Sequence, residues 1–380
     1  DRYKFQGTSR KVQGTRDKRQ ETRDKRQGEL VMKIKNIVFV ALTVLTTSAC
    51  AQQSVNSLQS VIVQTNSRDE VIHLIDPSTQ KIIGEITGIP VNHGAAGAPD
   101  GSELYFSSEA KFTLDVVNAS SLKIEAEIPL SGRPNNISIG KDGRFVYVGI
   151  MQEPGGIDVI DTRSRENVDH IDTGSRVHNT YVTPDGKYLV SGTFGGEGNL
   201  DVFNLQSRER EFQLYPPMSS DALDGIRPIA FDTHPDGSTK NMYVQISNVH
   251  GFAVVDFNLR TEIGRVILPS IPEQDRDPPP YNQAPAHGIG VAPDGNTLWV
   301  CSRWNGTVYA YSLPNMAFLG GVKVGSHPDW ITFSADSQYA YAANGASDDV
   351  SVIDIDRLVE VERIKVGSAP KRNITTSLVR

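Results

Sequence analysis

The sequence predicts an all-β fold: one seven-bladed β-propeller of four-stranded antiparallel blades, spanning about residues 58–376. Three observations predict it. A Pro-Asp-Gly-type turn recurs at intervals of 42 to 58 residues between its aspartates, the period of a propeller blade. Short alternating strands follow each turn, and none of them has the 3.6-residue period of a helix. The two ends are complementary. The chain enters at Val61 on the second strand of a blade and leaves at Pro370-Lys371-Arg372-Asn373-Ile374, an inner strand with no blade behind it. Joined, they complete a seventh blade and leave no free sheet edge.

The turns are Ala98-Pro99-Asp100-Gly101, Gly140-Lys141-Asp142-Gly143, Thr183-Pro184-Asp185-Gly186, His234-Pro235-Asp236-Gly237, Ala292-Pro293-Asp294-Gly295 and Ser334-Ala335-Asp336-Ser337. Proline presets the first turn dihedral and glycine takes the left-handed position, so each connects two strands of a hairpin. A second strand follows, as in Phe145-Val146-Tyr147-Val148 or Thr297-Leu298-Trp299-Val300. Gly156 to Asp161 and Val350 to Asp354 read as third strands, and Val361 to Gly367 as a fourth. Of 380 residues, 38% are hydrophobic, enough for a core. The two cysteines, Cys50 and Cys301, rule out a disulfide framework and a zinc site built on several thiolates.

The amino-terminal part reads differently. Residues 1–31 hold ten Lys/Arg against five Asp/Glu, and Thr15-Arg16-Asp17-Lys18-Arg19-Gln20 recurs at 22–27. Such polar, repetitive sequence is expected to be disordered, or to be untranslated upstream sequence with Met32 as the start. Residues 32–51 have the layout of a secretory signal: a basic stretch at Lys33 and Lys35, an apolar run from Ile37 to Leu45, and small residues at Ser48-Ala49-Cys50-Ala51. The run is too short for a membrane span. Ala49-x-Ala51 suits cleavage to a soluble product, whereas Thr47-Ser48-Ala49-Cys50 resembles a lipoprotein box that would anchor the protein through Cys50. The expected location is the periplasm or the exterior. Taking +5 for the leader and +2 for the two lysines from the net −7 leaves −14 on the remaining chain. A domain that acidic is a poor partner for a phosphate backbone, so nucleic acid is not expected. The expected partner of a monomeric ring is a small molecule.

Val324-Gly325-Ser326-His327-Pro328, with Ala342-Ala343-Asn344 and Val350-Ser351-Val352-Ile353-Asp354, resembles the YVTN repeat of the lactonase-like and surface-layer propellers. The resemblance covers about 61–374. It implies the fold and leaves function open, because propellers of this kind bind haem d1, carry copper, open lactones or act as adhesion modules.

Counting back seven residues from each turn aspartate gives His93, Asn135, His178, Ile229, His287 and Asp329, one per blade at the entry to its inner strand. In a propeller these positions ring one mouth of the central channel. Three histidines in alternate blades (His93, His178 and His287, with His327 beside Asp329) point to a divalent metal: Cu, Zn, Fe or Ca. The same residues serve equally as a metal-free polar mouth. Arg133, Arg176 and Arg227 stand two positions before the ring, and Lys371 and Arg372 join them from the closing strand. In an acidic protein, cations there favour an anionic ligand. Sixteen residues after the ring come Glu109, Phe194 and Arg303, and Glu109 with His93 forms a candidate acid–base pair. The candidate catalytic set is His93, Glu109, His178 and His287. Asn135, Asp329, Trp330 and Arg303 join the four arginines 133, 176, 227 and 372 as candidate ligand contacts.

Two long connections, Tyr215–Gly225 and Pro269–Ala286, are expected on the same face as pocket walls or lids. No Gly-x-Ser-x-Gly or Cys-x-x-Cys-His occurs, which excludes a hydrolase elbow serine and covalent c-type haem but leaves a non-covalent tetrapyrrole. Three function classes stay open: a metal-dependent oxidoreductase, a lactonase-like hydrolase, and a binding or scaffold propeller without catalysis.

Overall fold

In a computed structural model, residues 58–195, 198–214, 225–277 and 284–379 are described. The leader, the signal-like segment with Cys50, and most of the two long connections lie outside them. The described residues form seven four-stranded antiparallel sheets whose strands follow one another from the channel outward. Blades 2 to 7 begin with inner strands Asn92–Gly97, Pro134–Ile139, Arg176–Val182, Ile226–Thr233, Ala286–Val291 and Pro328–Phe333. Blade 1 takes Leu58–Asn66, Val71–Asp76 and Lys81–Thr87 from the start of the propeller and Pro370–Val379 from its end. The closing strand pairs Val63 with Ile374, Val61 with Thr376 and Leu58 with Val379, so it runs past the expected boundary at 376.

The apolar core lies between the faces of successive blades rather than on the axis. Trp299 and Cys301 of blade 6 pack against Ile331 and Phe333 of blade 7. Tyr341 and Val350 of blade 7 meet Ile62 and Ile75 of blade 1, and Val63 and Leu74 of blade 1 meet Leu104 and Phe106 of blade 2. Fully burying side chains of this size stabilises by roughly 1.5–3 kcal/mol each. Because every interface is shared by two blades, the ring has no weak seam unless the closing strand is lost. The outermost strands carry mixed charge, as in Glu360, Glu362, Arg363 and Lys365, which discourages edge-to-edge pairing.

The inner strands share an irregularity that positions the site. Register shifts fall between Asn92 and Ala95, Pro134 and Ile137, Val177 and Asn179, Ile226 and Ile229, Ala286 and Ile289, Pro328 and Trp330, and Asn66 and Gln64 opposite the closing strand. A β-bulge adds a residue to one strand and re-aims its side chain. The re-aimed residues are His93, Asn135, His178, Arg227, His287, Asp329 and Lys371. Blade 5 therefore departs from the expected register: Arg227 occupies the ring position and Ile229 does not. Its inner strand is eight residues long where blades 2, 3, 6 and 7 have six, so counting back seven from the turn stops two residues short.

Candidate functional site at the channel mouth

The bulged residues converge on a cavity of about 340 Å³. His93, Asn135, His178, Arg227, His287 and Lys371 come from the inner strands, with Arg133 and Arg176 at their entries. Met151, Phe194 and Arg303, at or just beyond the second-strand ends, complete the wall. Among the described residues that line it, none is acidic. Inner strands approach closely here: a Cβ on Gly94, next to His93, would come within 2.8 Å of the Asn135 carbonyl. A side chain at that position would push the histidine strand off its neighbour.

Hydrogen-bond partners set the state of each imidazole. His93 donates from Nδ1 to Glu109 Oε1 in a short contact, which leaves its Nε2 with the lone pair. His287 donates from Nδ1 to the Asp329 carbonyl oxygen at 2.8 Å and likewise keeps an accepting Nε2. His178 accepts on Nδ1 from the Asn179 amide, so its Nε2 carries the proton. The His178 and His287 rings meet edge to face with centroids 5.6 Å apart. Burial drives both well below the usual histidine value, and the Arg227 charge beside His178 and the Arg303 charge beside His287 add to it. Both are neutral at physiological pH.

Burial pushes the Glu109 carboxyl up, but the hydrogen bond from His93 and the nearby His93, Arg133 and Lys371 charges together outweigh it and hold the group below its ordinary value. Asp329 is buried more deeply, and burial alone would raise it. Arg303 and Lys371 hold it at about 2 instead. One of its oxygens binds the Arg303 guanidinium and the other accepts from Lys371 Nζ at 2.7 Å. Asp329 is therefore an anchor for two cations, with no lining position in the cavity.

Several expected residues lie elsewhere. Arg372 does not reach the mouth. It is buried beneath it, with its guanidinium 4.4 Å from the Trp330 ring centroid and 5.7 Å from that of Tyr181. Trp330 is buried too, its ring 5.4 Å from that of His287. These two stiffen the channel rather than line the cavity. His327 sits in a left-handed conformation (φ 54°) and lines an adjoining cleft with Asp329 and Asp348. Its backbone N–H donates to Asp277 at 3.0 Å. The described part of the second long connection is pinned by that contact, by Ser326 Oγ donating to Asp277 at 3.0 Å, and by Arg276 stacking 4.4 Å over Trp304. Lys371 lines the cavity with the arginines, as its place on the closing strand predicts, and Met151 lines it without having been expected there. Met151 follows Asn135 by the same sixteen residues that separate Glu109 from His93, accepting from the Asn135 amide at 2.9 Å.

The three histidines expected to hold a metal, His93, His178 and His287, line this one cavity. Among the described residues, no group of three His, Cys, Asp or Glu is arranged to hold an ion. Five Lys and Arg side chains line the same space as these histidines. A cation there would be repelled at close range in a poorly solvated mouth.

Comparison with known proteins places this ring among related folds. The family described as "Lactonase, 7-bladed beta-propeller" matches residues 156–360, more than half of the chain. No curated protein matches. Similar solved structures include the periplasmic gluconolactonase PpgL of Pseudomonas aeruginosa, at 18% identity over 85% of this chain and 100% of that one, with a TM-score of 0.68. A Bacteroides fragilis protein assigned as a candidate 6-phosphogluconolactonase is 16% identical over 86% and 100%, with a TM-score of 0.67. Kuenenia stuttgartiensis hydrazine synthase is 21% identical over 81% and 98%, with a TM-score of 0.66. At such identities the likeness is one of fold.

Proposed function

The chain belongs to the seven-bladed β-propeller lactonase family, and from that premise we propose that its channel mouth binds a small anionic lactone and opens the ring with water. One observation carries this reading: a cavity lined by five cationic side chains and three histidines, with no acid among its described lining residues, has a His93–Glu109 pair in its wall. Cations select and hold the anion, while His93, oriented by Glu109, and His178 supply the proton acceptor and the hydrogen-bond donor that hydrolysis needs.

The step balances without a further reactant. His93 Nε2, its ring fixed by the Nδ1–H bond to Glu109, takes a proton as water adds to the lactone carbonyl carbon. The carbonyl oxygen becomes an oxyanion, which His178 Nε2–H and the surrounding guanidinium groups can stabilise. Collapse breaks the ring C–O bond, and His93 returns its proton to the leaving alkoxide. Product is the hydroxy acid. No described helix is long and apolar enough to cross a membrane. The signal-like segment at 32–51 and the periplasmic location of the P. aeruginosa gluconolactonase support an exported enzyme.

The test is ring opening of aldonic and phosphorylated aldonic lactones, followed by acid release in weak buffer. Wild type should exceed the buffer rate by orders of magnitude, and His93→Ala should remove most of that excess. A wild-type rate equal to that of buffer would end the hydrolase reading.

A further inference from the structure

The cations of the mouth are not equivalent, and their differences orient the ligand. On the blade 6–blade 7 side, Arg303 and Lys371 share the two oxygens of Asp329. On the blade 4–blade 5 side, Arg176 and Arg227 lie 4.5 and 5.4 Å from the centroid of one aromatic ring, Phe194. The edge of that ring system also meets His178, with centroids 5.8 Å apart. Three functional side chains are thus placed by a single residue that has no charge of its own.

An aromatic face attracts a guanidinium through its quadrupole without neutralising it. The backbone fixes the ring tightly. Gly225 bridges to Phe194 across blades 4 and 5, and a Cβ on Gly225 would come within 2.2 Å of the Phe194 Cβ. Arg227 is steadied further by Nε donating to Ser247 Oγ at 2.7 Å. Arg176 reaches Glu153 at 3.2 Å, but that carboxylate is largely exposed and the pairing is weak.

The geometry points to the Arg176–Phe194–Arg227 cluster as the subsite for the ligand's anionic group, a carboxylate or phosphate, with Phe194 as the positioning residue that both cations contact. This rests on the reading of the mouth as an anion-binding cavity. It adds an orientation: the charged substituent lies toward blades 4 and 5, and the reacting carbonyl toward His93 and Glu109 in blade 2. Planar guanidinium forks suit the oxygens of either anion. The chemical class of substrate follows as a lactone whose anionic group stands away from the ring carbonyl.

The test is calorimetric titration of the full chain with inorganic phosphate, alongside turnover of a charged sugar-acid lactone and an uncharged lactone. Phe194→Leu keeps an apolar side chain and removes the quadrupole. It should weaken phosphate about tenfold and raise KM for the charged lactone by a similar factor. Any fall in kcat, through the His178 contact, should be the same for the charged and the uncharged lactone, so the rise in KM confined to the charged one reads the subsite. Arg176→Gln, at a half-buried position, should also weaken phosphate about tenfold. Its KM for the charged lactone should rise more than its KM for the uncharged one. If both variants bind phosphate as wild type does, the subsite is elsewhere and only this inference falls. An equal rise in KM for charged and uncharged lactones would make Phe194 structural and also overturn it. Wild type that binds no phosphate would overturn the anion-binding reading and the subsite together.

Discussion

At the scale of single residues, charge that is out of water decides which changes matter. Asp329 accepts from Arg303 and Lys371, and all three side chains are largely buried. Replacing it as Asp329→Asn leaves two cations without their carboxylate. Breaking a buried pair in this way costs about 3–5 kcal/mol, so urea unfolding should show a loss of that size. A loss below about 1 kcal/mol would mean that solvent reaches the trio. Glu109 differs in kind, because among the described residues its close side-chain partner is His93. Glu109→Gln should lower kcat for lactone opening on the order of a hundredfold while the melting temperature stays close to wild type. An unchanged kcat would remove Glu109 from the reaction and leave His93 oriented by the fold alone.

At the scale of elements, the closing strand and the bulges carry most of the consequence. Pro370–Val379 is the inner strand of blade 1, and its Asn373 side chain donates to the Tyr341 carbonyl of blade 7 at 2.9 Å. Deleting residues 368–380 should remove that strand, expose the edge of Leu58–Asn66 and delete Lys371 from the mouth. The expected result is loss of the single cooperative unfolding transition, read by circular dichroism and intrinsic fluorescence together. A truncated chain that melts as wild type does would contradict ring closure as the main constraint. The bulges explain which residues a count along the sequence could find. Equal spacing from turn to ring identified His93, His178 and His287 because each stands seven residues before its turn aspartate, Asp100, Asp185 and Asp294. Blade 5 has two extra residues, so the same count selected Ile229 and missed Arg227 two positions before it. Met151 went unnoticed although the sixteen-residue offset predicts it, because a thioether carries no charge to draw attention.

At the scale of the whole molecule, burial of neutral imidazoles links stability to pH. His178 and His287 are held well below 6.5 by burial, burial lowers His250 to about 4, and His73 is also lowered. In each case the unfolded chain takes up a proton below pH 6.5 that the folded protein refuses. Stability from these groups is complete above 6.5 and declines as the pH falls. The slope approaches about 1.4 kcal/mol per pH unit for each histidine. Asp201 and Asp115 act in the opposite sense, since burial raises both, Asp201 to about 6, and the folded state gains their protons first. Four imidazoles outweigh two carboxyls, so the melting temperature should drop between pH 7 and pH 5. His178→Gln should make that drop shallower. A melting temperature that rises on acidification would show that these rings are charged in the folded protein.

What the sequence determined by itself was whatever repeats or alternates locally. Turn chemistry, strand alternation and the complementary ends are properties of neighbouring residues, and they sufficed for seven blades and their closure. The ring of polar residues at one mouth followed from the same period. The tertiary structure alone decided what those residues do to one another. Asp329 is neutralised by Arg303 and Lys371, from segments 26 and 42 residues away in the chain. Arg372 turns under the mouth to stack on Trp330, and Phe194 stands between two arginines of different blades. No spacing rule contains these contacts. A propeller brings seven distant strand ends to one axis, where a side chain's partner is set by bulges and by the packing of adjacent blades, and electrostatic interactions depend on that separation in space and not along the chain.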